Sequence, residues 1–404
     1  MYIFEVLVQL VLIALLILYP LIPSYGKINA DILIALLAFV QILNLLLNKN
    51  TRKSFFNYIL NLKSNIIFIS LILFNLSMYI SVIPATNKAT TIGHSLRFSM
   101  YLFIFLVLLF NLKDKKIFYL FLNTFVFSNL IVGLYAIYQS IFKSSIIDEA
   151  HRITSTLENS NNLGAYTILS IFIVFALICK SKKISVKFMY ALIFIVQLFS
   201  LIACQSRNAL LALFLGSFLF AILYKKQYLI IALILPIILL IIPAARVRFL
   251  EIFDFSQNIS RLKVWKISLL MIKDNFLSGI GYENFQYLYK TYVSNNMHLR
   301  VWDGYQAYHP HNILLKVQTE LGIIGTITFL LLIICVIVTC YKALKQNYHT
   351  NNKILVIGFI SSFFAFQFMN IIDNFYTPPK ILITLFIVLA FISYSNSKPK
   401  SIFK

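Results

Sequence analysis

Charge is scarce in this chain. Asp, Glu, Lys and Arg make up 12% of its 404 residues, against 60% hydrophobic residues, and the mean hydropathy is +0.86. A soluble protein of this length has no use for so much apolar surface, which rules out that class. Cysteine is rare too: Cys179, Cys204, Cys335 and Cys340 all lie in or at the ends of hydrophobic runs. None has metal-site spacing, so neither a disulfide framework nor zinc is expected. No Gly/Ser- or Pro-rich linker and no fixed-period repeat divides residues 1–404, which read as a single membrane domain. There is no Gly-x-x-x-x-Gly-Lys-Ser/Thr loop and no Asp-x-Asp pair, which argues against nucleoside triphosphates and metal-bound nucleotide sugars as donors. The start, Met1-Tyr2-Ile3-Phe4-Glu5, lacks the basic region and cleavage site of a signal peptide, so the first span is expected to be retained.

What is present is hydrophobic sequence in blocks of about 18–21 residues, the length of a helix crossing a roughly 30 Å hydrocarbon core. The blocks predict spans at 4–22, 31–47, 65–83, 91–110, 117–140, 163–180, 187–204, 206–223, 228–244, 322–341, 353–372 and 380–395. The expected fold is an all-α polytopic membrane protein of about 12 transmembrane helices, GT-C-like, with a large loop between the ninth and tenth. Loops after even-numbered spans carry Lys49, Arg52, Lys113, Lys116, Lys180 and Lys183, while the short odd-numbered loops are poor in positive residues. The positive-inside bias then puts both termini in the cytoplasm and the long loop outside. It also accounts for the net charge of +22 without nucleic acid as a partner.

That polar stretch, 245–320, is the expected extracytoplasmic catalytic loop. It holds nine Lys/Arg, three of the six histidines, and the sequence Tyr308-His309-Pro310-His311-Asn312. One amphipathic helix is expected from Ser260 to Phe276, its stripe of Leu262, Trp265, Leu269, Ile272 and Phe276 lying on the bilayer surface. His311 is the candidate base, because a neutral imidazole accepts a proton near pH 7, with Asn312 available to orient a partner. His309 and His311 supply half of a metal site, but neither His298 nor Asp303 completes it at convincing spacing, so no metal is expected. Arg207, at the outer end of the eighth span, has no acidic residue within a helical turn and suits an anion. Arg97, with His94 one turn earlier, lies in the outer third of the fourth span as a possible substrate contact. Arg97, Arg207, Arg261 and His311 thus share the outer face, where guanidiniums grip phosphate bidentately. Tyr282, Tyr289, Trp302, Tyr305 and Tyr308 add flat faces that suit sugar rings.

Four signatures resemble those of the bacterial O-antigen ligase/polymerase superfamily: Ser206-Arg207 opening a span; Arg261 with Trp265; Gly279-x-Gly281-x-x-Asn284-Phe285; and His309-Pro310-His311-Asn312 with Glu320-Leu321-Gly322-x-x-Gly325. The likeness covers residues 159–330. It implies a glycosyltransferase without metal, nucleotide or other cofactor, taking an undecaprenyl-pyrophosphate-linked glycan as donor and a sugar hydroxyl as acceptor. Carried onto this chain it makes His311 the catalytic residue and Arg207 and Arg261 the pyrophosphate ligands. Tyr282, Asn284, His309, Asn312 and Glu320 become possible substrate contacts. Direct attack by the hydroxyl would invert the anomeric centre. The implied setting is the bacterial inner membrane, with membrane lipids, a glycan or lipid A–core acceptor and a chain-length regulator as partners. A ligase and a repeat-unit polymerase need the same chemistry. A lipid-linked glycan flippase would instead be expected to show paired repeats and helices broken in mid-membrane, and the sequence displays neither. Protein O-oligosaccharyltransfer is a further relative with similar motifs.

Overall fold

The structure, a computed structural model, describes residues 2–23, 30–142, 152–230 and 259–396 and, between the last two stretches, only residues 241, 246, 247, 250 and 251. The described residues form helices and no strand: α1 (Tyr2–Leu18), α2 (Asp31–Leu47), α3 (Lys49–Asn61), α4 (Ile66–Ile80), α5 (Lys88–Asn111), α6 (Lys115–Phe142), α7 (Ser160–Lys180), α8 (Ile184–Ala203), α9 (Arg207–Tyr224), α10 (Ile259–Asp274), α11 (Phe285–Ser294), α12 (Ile313–Gln346), α13 (Lys353–Ile372) and α14 (Pro379–Asn396). Five of them start on an asparagine side chain that accepts a bond from the first-turn backbone, at Asn48, Asn65, Asn87, Asn159 and Asn312. Such caps satisfy donors that a helix end otherwise leaves orphaned.

The fold is an all-α polytopic membrane protein. Eight helices, α5 to α9 and α12 to α14, are long and apolar enough to cross a membrane. The pair α2 and α3 makes a ninth if counted as one span bent by 114°, and α1 and α4 are apolar but shorter. The predicted span 228–244 falls almost entirely outside the described residues. Lys49–Lys63, expected as a loop, is instead mostly the helix α3. Asn48 caps it, and its Phe55 turns inward, edge-on to Phe110 at 4.9 Å between ring centroids.

The innermost helices are α7, α13 and α14, which bury most of their residues. Small residues let them approach: a Cβ at Gly164 of α7 would meet Ala209 of α9 at 2.7 Å, and one at Gly358 of α13 would meet Ala176 of α7 at 2.7 Å. Lipid tails are as apolar as leucine, so close backbone contact rather than hydrophobicity favours such pairs. The two ends of the bundle differ in chemistry. At one end Lys113 pairs with Glu5 at 3.1 Å, and Lys180 bonds Asn352 just before α13 starts. At the other, where α13 ends, the polar elements gather.

Those elements, α10, α11 and the loops around them, have a small core of their own: Val264, Ile267, Met271, Ile280, Phe285, Tyr289, Leu299 and Ala307. The helix α10 is apolar on two sides. Val264, Ile267, Ser268 and Met271 are buried, with Ser268 Oγ 2.6 Å from Thr319 Oγ1 of α12. The expected stripe stays outside this packing, Leu269 and Phe276 remaining 53% and 51% exposed. The helix α12 is interrupted at Gly322 (φ 63°, ψ −159°). The break stands at the start of the predicted 322–341 span rather than in its middle. There a Cβ would lie 2.3 Å from the Leu277 carbonyl oxygen, and the backbone conformation alone strains any other residue by roughly 1–3 kcal/mol. Gly322→Ala is expected to collapse the folded peak in fluorescence-detected size exclusion. Gly93→Ala, with nothing within 4 Å of the added carbon, leaves it unchanged.

Candidate active site

The loop that precedes α12 aims the candidate base. Pro310 is buried, and His311 takes a left-handed conformation, φ 53°, that a bulky side chain adopts only under constraint. Three bonds supply that constraint. The His311 backbone N–H donates to Nδ1 of His309 at 3.2 Å. Asn312 accepts from the Leu315 N–H at 3.0 Å as the cap of α12 and donates to the Ile371 carbonyl at 2.8 Å. Asn312 thereby ties the start of α12 to the end of α13, where Asp373 follows. His311 Nδ1 lies 2.9 Å from Asp373 Oδ1. An ionised carboxylate only accepts, so Nδ1 carries a proton in this contact, and a neutral ring would keep its lone pair on Nε2.

Asp373 is 7% exposed, and its second oxygen stands 3.8 Å from the Arg261 guanidinium. Burial alone would raise its pKa; the bond and charge of His311, with His309 and Arg261, overcome that and hold it at about 2. His309 moves the other way from its ordinary range, down to about 3, because burial and the neighbouring His311 both disfavour a charged ring. It is a neutral imidazole packed 4.3 Å from that of His311. His309, His311 and Asp373 bring three ligand atoms within 4.8 Å of one another. This is the one grouping among the described residues with the donor set of a metal site, and Asp373, not His298 or Asp303, completes it. The nearby Arg261 guanidinium opposes a cation there.

Beside this pair lies a cavity of about 260 Å³ lined by Arg152, Asn161, Ser206, Arg207, Arg261, Trp265 and Ile372, among others. Arg207 opens α9 directly after a left-handed Gln205 (φ 49°), so the hairpin from α8 turns it into the cavity beside the helix N-terminus. A helix start favours anions through its free N–H groups and dipole. Arg207 donates to the Glu251 carbonyl at 3.0 Å. Arg152 is held by the Cys204 carbonyl at 3.1 Å and Asn161 at 2.7 Å. Ser206 Oγ and Trp265 Nε1 are buried without a hydrogen-bond partner. Buried donors are rarely left so, and both belong to the cavity lining. Three guanidiniums and two unmet donors make a cavity whose chemistry suits an anion.

The remaining sequence candidates separate from this cluster. Arg97 pairs with Asp31 at 3.3 Å. Asn284 is fully buried: its Oδ1 accepts from the Asn87 N–H at 2.6 Å, and its Nδ2 donates to Thr91 at 2.7 Å. Glu320 is fully buried as well, bonded to Lys316 and to the Glu283 N–H. Tyr282 lies under the Lys316 ammonium, 5.3 Å from it, with His94 edge-on at 6.3 Å. These five hold the scaffold around the site. Sequence reasoning missed Asp373, Arg152, Lys316 and Glu283. Under the expected topology Asp373 is the one charged residue of its short outer loop, 373–379, and that isolation was its available signal, whereas Arg152 shares its loop with Lys143, Asp148, Glu149 and Glu158.

Residues 191–330 match the family model described as O-antigen ligase, a segment that holds α9, α10, α11, Arg207, Arg261 and His311. That match, over 140 of the chain's 404 residues, supports a segment of the O-antigen ligase-like superfamily within it. The matched segment starts inside α8 and leaves Arg97, Arg152 and Asp373 outside it. Among curated proteins none matches the chain.

Both shifted groups make acid destabilising. His309 binds a proton near 6.5 when unfolded but only near 3 when folded, so stability falls as pH drops below 6.5, by up to about 1.4 kcal/mol per unit. The Asp373 contribution, in place above 3.8, is lost between there and about 2. The melting temperature of the detergent-solubilised protein is expected to decline from pH 6.5 to 4, and His309→Gln to flatten the decline. An equally steep fall in the variant would place the acid-labile group elsewhere.

Proposed function

We propose that the protein transfers a glycan from an undecaprenyl-pyrophosphate donor to a sugar hydroxyl in surface polysaccharide assembly, in the manner of an O-antigen ligase. The observation that carries this reading is a phosphate-sized arginine cavity opening beside a histidine–aspartate pair, with Arg261 belonging to both. The acceptor hydroxyl gives its proton to His311 Nε2 as its oxygen bonds the anomeric carbon. The bond from that carbon to the pyrophosphate oxygen breaks, and the configuration inverts. Undecaprenyl pyrophosphate leaves as an anion held by Arg207 and Arg261, with no metal or nucleotide taking part. Asp373 keeps His311 in the basic tautomer and stabilises the imidazolium that forms, as an aspartate does in hydrolytic triads.

In magnitude a positioned base contributes about 10²–10⁴-fold, and each charge-stabilising donor roughly 3–4 kcal/mol by analogy with oxyanion sites. The core of this activity is residues 159–330, with 245–320 as the extracytoplasmic catalytic loop. In the inner membrane the lysine-bearing end of the bundle faces the cytoplasm and the site faces outward, where the donor's own leaving group must drive the reaction. Lipid A–core is the acceptor for a ligase; a repeat-unit polymerase working with a chain-length regulator would use the same residues. A flippase gives no reason for an ordered His–Asp pair beside a phosphate cavity.

The test is size-resolved profiling of lipid-linked and surface glycans in a deletion strain complemented with variants. Long chains stranded on undecaprenyl pyrophosphate mean ligase, single repeat units mean polymerase, and an unchanged profile removes the reading. Arg207→Ala, Arg261→Ala and His311→Ala are expected to lower transfer about 10²-fold or more while inserting normally. Asp373→Asn follows His311→Ala to within about tenfold if the two act as one base. Transfer that survives EDTA supports the metal-free reaction, and loss restored by a divalent ion would assign His309, His311 and Asp373 to a cation instead.

A further inference from the structure

A second cavity, of about 340 Å³, lies within the polar cap and shares no lining residue with the arginine cavity. Tyr289, Tyr305, Trp302, Lys290 and Arg300 form its walls. Its chemistry is different: three aromatic rings and two cations, where the first cavity has three guanidiniums and small polar groups. Trp302 is 59% exposed, yet it is not loose. Tyr305 packs against it at 4.4 Å between centroids, inclined by 61°, and Tyr289 meets Tyr305 edge-on at 6.1 Å. The loop that carries Trp302 and Tyr305 is braced at both ends. Lys263 Nζ bonds the Arg300 carbonyl at 2.6 Å, and Gln306 Nε2 bonds the Gln286 carbonyl of α11 at 2.8 Å. An exposed tryptophan held rigid in this way offers a flat face at little entropic cost to a ligand.

The position of the cavity matters as much as its lining. Tyr305 forms one of its walls, and the same phenol lies within the electrostatic reach of Arg261 and Asp373. Arg261 thus borders the first cavity, and a wall of the second, Tyr305, lies within its electrostatic reach. A glycosyl transfer needs that division: phosphate oxygens on one side of the breaking bond and sugar on the other. Sugars present apolar C–H faces, which suit aromatic rings, and hydroxyl edges, which suit phenols and charged donors. The volume is at the low end of the roughly 300–1,000 Å³ of ligand pockets, enough for a short stretch of glycan.

We propose that the cavity walled by Tyr289, Trp302 and Tyr305 is a saccharide-binding subsite, and that Lys290 favours acidic sugars in it, the Arg300 guanidinium being paired with Asp303 at 2.9 Å. This rests on the glycosyltransferase reading for its place in the reaction. The chain's two tryptophans, Trp265 and Trp302, fall one in each cavity, so fluorescence reads the two independently.

The full-length protein in nanodiscs is titrated with two probes. One is oligosaccharide released by mild acid from the surface polysaccharide of the source strain; the other is undecaprenyl pyrophosphate. In the Trp265→Phe protein, which reports Trp302 alone, the oligosaccharide is expected to change the emission saturably. Lys290→Gln in that background, and separately Trp302→Ala followed by calorimetry, are expected to weaken saccharide binding about tenfold. In the Trp302→Phe protein, undecaprenyl pyrophosphate is expected to change Trp265 emission. Silence of Trp265 with a response at Trp302 would sink the pyrophosphate reading and leave the subsite standing. Saccharide binding that perturbs only Trp265, or that ignores both Lys290→Gln and Trp302→Ala, would overturn the subsite. So would quenching of Trp302 by brominated lipid, which would make it a membrane anchor. In turnover assays a KM raised by Trp302→Ala for the acceptor alone assigns the subsite to the acceptor sugar, and one raised for the lipid-linked donor alone assigns it to the donor glycan.

Discussion

A broken helix frees backbone groups that need other partners, and the architecture of the site depends on how this chain meets that constraint at Gly322. The break leaves carbonyls of the preceding turn without helical partners. Two of them are taken up from outside: Ile280 N–H donates to the Thr319 carbonyl at 3.1 Å, and Gly281 N–H to the Glu320 carbonyl at 2.9 Å. The Gly279–Gly281 turn reaches those carbonyls because it has no side chains in the way; a Cβ at Gly279 would sit 2.4 Å from the Glu320 oxygen. The two glycine motifs, some forty residues apart in sequence, are therefore one device. Its product is an α12 whose first nine residues, 313–321, lie out of line with the rest, and those residues carry the His311 loop.

A buried charge cluster locks the same junction. Lys316, 1% exposed, bonds Glu283 at 2.8 Å and Glu320 at 2.9 Å, and Thr377 adds a bond to Glu283 at 2.9 Å. Burial by itself would raise the Glu283 carboxyl; the Lys316 ammonium outweighs it and keeps the group ionised. Desolvating three charges costs several kcal/mol per ion, so such a cluster is a poor source of stability, but removing one member strands the others. What it supplies is position. Glu283 belongs to the glycine turn, Lys316 and Glu320 to the start of α12, and Thr377 to the loop that carries Asp373. Three segments distant in sequence are held in register a few residues from the reacting groups.

The apolar blocks made the membrane-spanning helices legible, because lipid allows few alternatives to a helix of that length. The glycine and histidine motifs do come together in the fold: Gly279 meets α12 at Gly322, and His309 and His311 stand just before its start. Their roles were harder to read. Asn284 and Glu320 look from sequence like substrate contacts, and only tertiary packing reveals Asn284 joined to Asn87 and Thr91 and Glu320 closed inside the Lys316 cluster. Asp373 was missed for a related reason: it follows an unremarkable apolar span, 62 residues from His311, and only packing joins the two. The helix α3 escaped notice because its first residues are charged, and its helical character rests on the Asn48 cap and on Phe55 finding Phe110. The amphipathic stripe of α10 was correctly located on one face, but the face that packs is the other.

The placing of Arg261 explains why charge at this centre can move without being exposed to water. It stands near one oxygen of Asp373 while His311 holds the other, and it also borders the arginine cavity. The carboxylate is shared between the Arg261 guanidinium and the His311 ring. In the transfer proposed above, a proton taken up by His311 would draw the carboxylate toward the new imidazolium and release the guanidinium toward the leaving phosphate. Proton capture and leaving-group stabilisation would then be linked through one buried carboxylate. The neutral His309 fits the same scheme, since a second cation packed against His311 would oppose the proton it has to accept.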